Sequence, residues 1–594
     1  MMLCLYGIAQ EKVDLSDLSF FQSTGDNWKI VGSLKADLEE DKTLRTKKGT
    51  GVLVNLPGKK HASNIESKML HGDMDLELEF MMAKGSNSGI YLQARYEVQL
   101  LDSWGVNLPK FGDCGGIYER WDESKADGQK GFEGYAPRMN VCKAPGLWQH
   151  LKIKFRAATF NDFGEKLSNA RFVSIHLNGQ LIHENLELTG PTRGGLPESD
   201  EPGPLFIQGD HGPVAFRNIN YRIYGKGKMQ LKNLRYEHYE TTSDAFPDFK
   251  KLKLIRKDKA PHLTHKVTQS NGRFALRFKG DFEAKEAGDY FFDMDARGWA
   301  YFKIDDKDLL PYGAWRQADS IYLKKGQHSF ELLYLKTGPW FPNGLGLYVS
   351  GPDISNQALH APSSLSGGGR NSGAPILLGY EAKPTVMRSF RDFPMPDGKK
   401  HRITHAISVG SADRLNYTFD PKSAALAQIW RGDFLDATPM WSGRGDGSSI
   451  PLGAVLNLGV YPEIVKLDQV NAEWPMEVAE GSYRYKGYQL GTDGWPTFQY
   501  HIHEATIHDQ IKSVQTGKQI QRKLKREGNA SGVYIKLAQG QNIEEQAKGL
   551  YSIDQQYFIQ IPEGIDVISR ESAGRQELLV DFSKYNELTY QLLW

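Results

Sequence analysis

The stretch SGIYLQARYEVQLLDSWG, residues 88–105, decides how the first third of the chain is read. Extended backbone alternates its side chains with a period of two. From Ile90, one parity runs Ile90, Leu92, Ala94, Tyr96, Val98, Leu100 and is mostly apolar. The other runs Tyr91, Gln93, Arg95, Glu97, Gln99 and is polar throughout. A face that merely meets water commonly carries Thr, Ser and Lys. Five long hydrogen-bonding side chains of both charge signs describe a strand with one face on a core and the other built to grip a ligand.

The flanking sequence has the same texture. DMDLELEFMMA (73–83) alternates Met74, Leu76, Leu78 and Phe80 against Asp75, Glu77 and Glu79. HLKIKFRA follows, and RFVSIHLNGQLIHE carries Asn178-Gly179, the dipeptide that favours a tight hairpin turn. Helix-length amphipathic stretches are scarce, so two packed antiparallel sheets are the economical architecture. Strand patterns continue to residue 594, and one short helix is expected over PKSAALAQIW (421–430).

The chain has 594 residues, 61 Gly, 27 Pro and 11% aromatic side chains, which predicts two to four β-rich domains. HAPSSLSGGGRNSGAP (360–375) reads as a linker and GKGKMQLKN (225–233) as a softer joint. The expected segments are 10–232, 233–359 and 376–594. A formal net charge of +1 argues against general nucleic-acid binding, which needs a basic surface. No apolar run reaches the length of a membrane-spanning helix. Residues 1–9 resemble the tail of a signal peptide, with Ala9 before Gln10 as the cleavage point, which places the protein in the periplasm or outside the cell. Cys4, Cys114 and Cys142 form neither CxxC nor CxxCH; Cys114 and Cys142 are expected as buried free thiols, with pairing left open.

After the opening stretch come CGGIYER (114–120), APGLWQHLKIKF (144–155), HLNGQLI (176–182) and GPLFIQGDHGPVAFRNI (203–219). This ordered set resembles the 3-keto-disaccharide hydrolase domain family, a concanavalin-like jelly-roll sandwich similar to family 16 glycoside hydrolases. The resemblance implies that one sheet is concave and that its open face is a sugar cleft lined by Tyr91, Gln93, Arg95, Glu97 and Gln99. Family 16 enzymes use two carboxylates on this strand; here Gln99 stands where a second acid would, and Asp102 has the opposite parity. A 3-keto sugar changes the demand, because the carbonyl acidifies the C2 proton. Cleavage then needs one base, one group on the developing enolate oxygen and donors for the ring. Glu97 and His211 are candidates for base or metal ligand, Arg95 for the enolate, and Gln99, Gln208, Asp102, Trp104 and Tyr118 for substrate contacts. No cofactor is required outright, and a divalent metal is one option.

Residues 233–358 resemble the β-sandwich module named after anthrax protective antigen, through FEAKEAGDYFFDMDARGWAYFKIDDKDLL and LKKGQHSFELLYLKTG. Arg297-Gly298-Trp299 stands where sugar-binding members carry a calcium-holding Asp pair, so a structural spacer is implied. Asp433, Asp436, Arg444 and Asp446 in the third segment are candidates for a pocket lining or for loop hydrogen bonds. The fold expectation is therefore mainly β: a concanavalin-like jelly-roll sandwich, a second β-sandwich and a β-rich C-terminal domain. The function expectation is an exported enzyme cleaving 3-keto-glycosides or 3-keto-disaccharides. The opposing class is a non-catalytic carbohydrate-binding or adhesion protein using the same cleft.

Overall fold

The computed structural model describes residues 10–594 apart from 23–24, 59–61, 162, 226, 243–244, 246–247, 271, 340–341, 366–374 and 442–446. The signal-peptide expectation at 1–9, most of the linker, and Arg444 with Asp446 lie outside the described residues. The protein is mainly β and multidomain, with several sandwiched or curled sheets of jelly-roll character.

The alternating runs become strands with the expected sides buried. Asp73–Met82 buries Met74, Leu76, Leu78 and Phe80 at 0–1% exposure. Its sheet runs, in spatial order, Gln180–Leu188, Ala170–Leu177, Gln149–Arg156, Asp73–Met82, Val214–Tyr224, Leu44–Asn55 and Trp28–Ala36. Asn178 and Gly179 both have positive φ and close the hairpin in which Leu177 pairs with Gln180. A second sheet runs Ile65–His71, Gly203–Ile207, Asn87–Leu92 and Tyr96–Leu101. The two meet through aromatic rings: Tyr96 lies 5.4 Å from Phe155, which lies 5.5 Å from Phe172.

The opening stretch is not one strand. Asn87–Leu92 and Tyr96–Leu101 are the two arms of a hairpin. Gln93 and Ala94 lie at its turn, with φ of 54° and 53° and the Arg95 N–H donating to Leu92 O at 3.0 Å. Positive φ at both central residues marks the turn that matches strand twist. The parity survives because three residues, Gln93 to Arg95, separate Leu92 from its partner Tyr96, an odd count that returns the chain with its faces in register: Ile90 pairs with Val98, Leu92 with Tyr96, and Tyr91 with Glu97.

The chain forms two compact units. Of the described residues, one holds 220–365 with His71–Leu76 and 10–12; the other holds Val13–Leu70, Glu77–Ile219 and 375–594. The first of these is built on two 17-residue strands, Gly288–Ile304 and Lys307–Leu323, in a sheet of eight, with Phe278, Phe292, Phe302, Phe330 and Tyr334 buried.

In the second unit, the two ends of the chain pack on each other. The Trp104 indole N–H donates to Trp594 O at 3.0 Å, and that of Trp148 donates to Gln555 Oε1 at 3.0 Å. Arg431, 3% exposed, donates to Gly517 O at 2.8 Å and to Trp594 O at 2.9 Å. The helix expected at 421–430 is absent. A turn with Ala424 at φ 52° leads into the strand Ala425–Asp436, buried at nearly every position. A short apolar run buried on both faces has no helical stripe to distinguish it from a strand.

Candidate functional site

The hairpin places Tyr91 directly across from Glu97, and Gly89 across from Gln99. Glu97 folds over Gly89; a Cβ there would stand 2.0 Å from Glu97 Oε1, so only glycine leaves room for the carboxyl. The expected open face is covered. Tyr91, Gln93, Arg95, Glu97 and Gln99 are 2–5% exposed.

Two segments form the cover. Residues 115–118 run along the outer edge of Tyr96–Leu101: Gly115 N–H donates to Gln99 O, Gln99 N–H to Gly116 O, and Tyr118 N–H to Glu97 O. Buried His183 supports this wall with a ring nitrogen 2.8 Å from Gly115 O. The second segment is 192–201. Thr192 N–H donates to Arg95 O, and Thr192 Oγ1 accepts from Glu97 N–H at 3.0 Å. Arg95 spends its fork on this segment, donating to Pro197 O at 2.9 Å, Glu201 O at 3.0 Å and Ser199 Oγ at 2.7 Å.

Burial pushes the Glu97 carboxyl up to about 8; a hydrogen bond from Tyr91 opposes the rise, and the Asp210 carboxylate adds to it. Tyr91 is raised well above the ordinary phenol range, chiefly by burial and next by Glu97. Tyr118 is raised in the same way, with Glu119 and Glu97 as the charges and Arg193 as a hydrogen-bonding counterweight. Asp210 sits at the rim, 2.6 Å from His211 Nδ1, both about half-exposed. Their loop is held by close backbone approaches. Gln208 N–H donates to Gly89 O at 2.9 Å, and Asn55 Nδ2 donates to Gly209 O and Gly212 O at 2.8 and 2.9 Å.

The structure thus brings together Tyr91, Glu97, Tyr118 and the Asp210–His211 loop. Gln208 contributes backbone groups to the same region, its carbonyl accepting from Ser88 Oγ. Gln93 occupies the turn. Gln99 donates to Asn87 Oδ1 and Ser88 O. Asp102 accepts from Gly85 N–H at 2.9 Å and Trp104 N–H at 3.3 Å, and Trp104 turns to Trp594. Arg217 donates to Glu79 at 2.5 Å and covers the Trp148 ring at 4.1 Å. Sequence reasoning did not single out Asp210; its charge acts on both Tyr91 and Glu97. The signal was the flanking glycines, which hold the loop against the hairpin. Among the described residues no three His, Cys, Asp or Glu side chains converge as a metal set.

This geometry sits within a recognised family segment. Residues 18–222 match the family model of the 3-keto-alpha-glucoside-1,2-lyase-like domain. They are a 3-keto-disaccharide hydrolase-like domain. Among solved structures, one candidate glycosyl hydrolase from Parabacteroides distasonis is 25% identical over 35% of this chain and 84% of its own, with a TM-score of 0.23. A second from the same organism is 20% identical over 36% and 99%, with a TM-score of 0.24. A β-glucosidase from Kluyveromyces marxianus is 18% identical over 20% of this chain and 16% of its own, with a TM-score of 0.16. No curated protein matches. No helix of the described residues is long and apolar enough to cross a membrane.

Proposed function

We propose that the 3-keto-disaccharide hydrolase-like domain cleaves the C1–oxygen bond of 3-keto-glycosides by elimination and rehydration, with Glu97 as the proton carrier. The observation that carries this reading is the desolvated Glu97 carboxyl, pushed up to about 8 and set opposite Tyr91. A carboxylate of that basicity is matched to removing a proton acidified by an adjacent ketone. Ionised Glu97 takes the C2 proton, and the electron pair moves onto the C3 oxygen as an enolate. The enolate reforms the ketone as the C1–oxygen bond breaks, and the Glu97 proton passes to the departing oxygen. Water then adds at C1 while C2 is reprotonated. Tyr91 holds the carboxyl in place, and Tyr118 and His211 are the donors available to the enolate oxygen. No step is routed through a metal. Arg95, Gln99, Asp102 and Trp104 position the surrounding chain, and substrate entry requires segment 192–201 to move away from Glu97.

The test is turnover of a 3-keto-glycoside by Glu97→Gln, which should fall by about 100-fold or more, the usual scale for losing a general base. Unmodified glucosides should be poor substrates. Full activity of the variant would remove Glu97 from the chemistry. Equal cleavage of ordinary glucosides would point to a two-carboxylate displacement, with Asp210 as the second acid.

A further inference from the structure

In the unit built on the two 17-residue strands, the sheet of eight ends at Lys253–Lys259. This strand pairs on one side only, with Leu231–Glu240, and is exposed at every position. Residues 249–266, around this edge, hold seven Lys or Arg and one Asp, a net charge of +6 in a chain whose formal total is +1. Lysine on an edge strand is an ordinary guard against edge-to-edge pairing. Two neighbouring rows of side chains, each crossing the sheet, separate that role from another.

Residues directly opposite on adjacent strands share a face. In one row Lys257 stands opposite Glu237, and Glu237 opposite Arg277. Its charges alternate, and Arg277 pairs with Glu237 at 3.6 Å and with Glu331 at 2.5 Å. In the next row Lys259 stands opposite Arg235, and Arg235 opposite Lys279. All three are exposed. Lys279 reaches Glu331 only at 4.0 Å, and Lys259 and Arg235 make no salt bridge with any described residue. Like charges directly opposite are destabilising, so three in line do not serve the fold. Arg235 and Lys279 border an open groove of about 290 Å³, which Asn233, Asp281 and Asp306 also line.

We propose that this face binds an acidic polysaccharide, a run of uronic-acid residues laid across the strands with its carboxylates on Lys259, Arg235 and Lys279. Adjacent strands lie about 4.8 Å apart, so the row sets its cations along a line about 10 Å long. A peptide adding to the sheet edge would run along Lys253–Lys259 and meet only Lys259 of the three. Neither row carries an aromatic ring on which a nucleobase could stack. The carboxylates of the groove, Asp281 and Asp306, repel a ligand that is charged throughout and accept hydrogen bonds from sugar hydroxyls. A chain that alternates carboxylates with hydroxyls matches both sets of groups. Glu97 takes no part in this site.

The experiment is calorimetric titration of the full chain, at low salt, with hexagalacturonate, cellohexaose, hexathymidylate and hexaglutamate. Hexagalacturonate should bind at least about tenfold more tightly than any of the other three, the difference one charge-assisted contact supplies. Arg235→Gln should weaken it by about tenfold. Lys250→Gln, which removes the same charge at an exposed position outside the row, should leave the affinity within about twofold of wild type. The melting temperature of Arg235→Gln should equal or exceed that of wild type, because the change relieves the opposition of like charges. No binding of hexagalacturonate, equal or tighter binding of any of the other three, equal affinity of the two variants, or a lower melting temperature for Arg235→Gln would each overturn the proposal.

Discussion

Glu97 carries the argument at the scale of single residues, and its ionisation gives a signed prediction. Its folded pKa, about 8, lies above the ordinary carboxylate value of 4.5. The folded state therefore keeps its full stability below the unfolded value and loses it as pH rises from about 4.5 through about 8. Melting measured from pH 5 to 9 should show wild type losing more stability than Glu97→Gln, by an amount on the order of a few kcal/mol. If the two curves run parallel, the carboxyl is not desolvated. Under the proposed chemistry, kcat/KM should rise with pH to a plateau above about 8, as the base form of Glu97 fills. Gly89→Ala should displace the carboxyl, because the new Cβ lies 2.0 Å from Oε1. Its pH–rate profile should shift toward lower pH while the fold persists, and an unchanged profile would detach the pKa from this contact. Much of this was legible in advance, since the polar parity named Tyr91 and Glu97. Their burial was not, because the covering residues 115–118 and 192–201 lie elsewhere in the sequence.

At the scale of elements, the hairpin shows what alternation reports and what it hides. Parity grouped the side chains of each face correctly but not their exposure, and it passed silently through the turn because three residues, Gln93 to Arg95, separate the paired Leu92 and Tyr96. Neither Gln93 nor Ala94 belongs to the Asn-Gly class that announces such turns, whereas Asn178-Gly179 did announce its own. Arg95 then looked like a ligand group because its partners, Pro197, Ser199 and Glu201, lie about a hundred residues away. Arg95→Met should free segment 192–201. A glutamate-specific protease should then cut after Glu198 at least about tenfold faster than in wild type, as expected for local opening. Equal rates would mean that Tyr96, which donates to Glu198 at 2.5 Å, and Thr192 hold the segment without Arg95. The expected linker divides in a similar way. Its first residues are docked, with Ala361 N–H on Leu263 O and buried Ser364 donating to Leu345 O at 2.6 Å.

At the scale of the molecule, the unit joining Val13–Leu70 and Glu77–Ile219 to residues 375–594 predicts shared unfolding. Trp104→Ala removes the indole that reaches Trp594 and should destabilise by about 2 kcal/mol, as loss of a large packed side chain does. In scanning calorimetry the change should move one transition that includes both chain ends; two transitions, with only one displaced, would separate them. Composition gave no hint of this association, since Trp104 and Trp148 have the sequence signature of any rim aromatic. The arrangement also bears on how the protein is made. Residues 13–219 emerge from the ribosome before their partner exists, and synthesis through to Trp594 takes on the order of tens of seconds at ordinary elongation rates. Throughout that interval the Trp104 and Trp148 indoles wait without their C-terminal partners, open to chaperones and to other nascent chains.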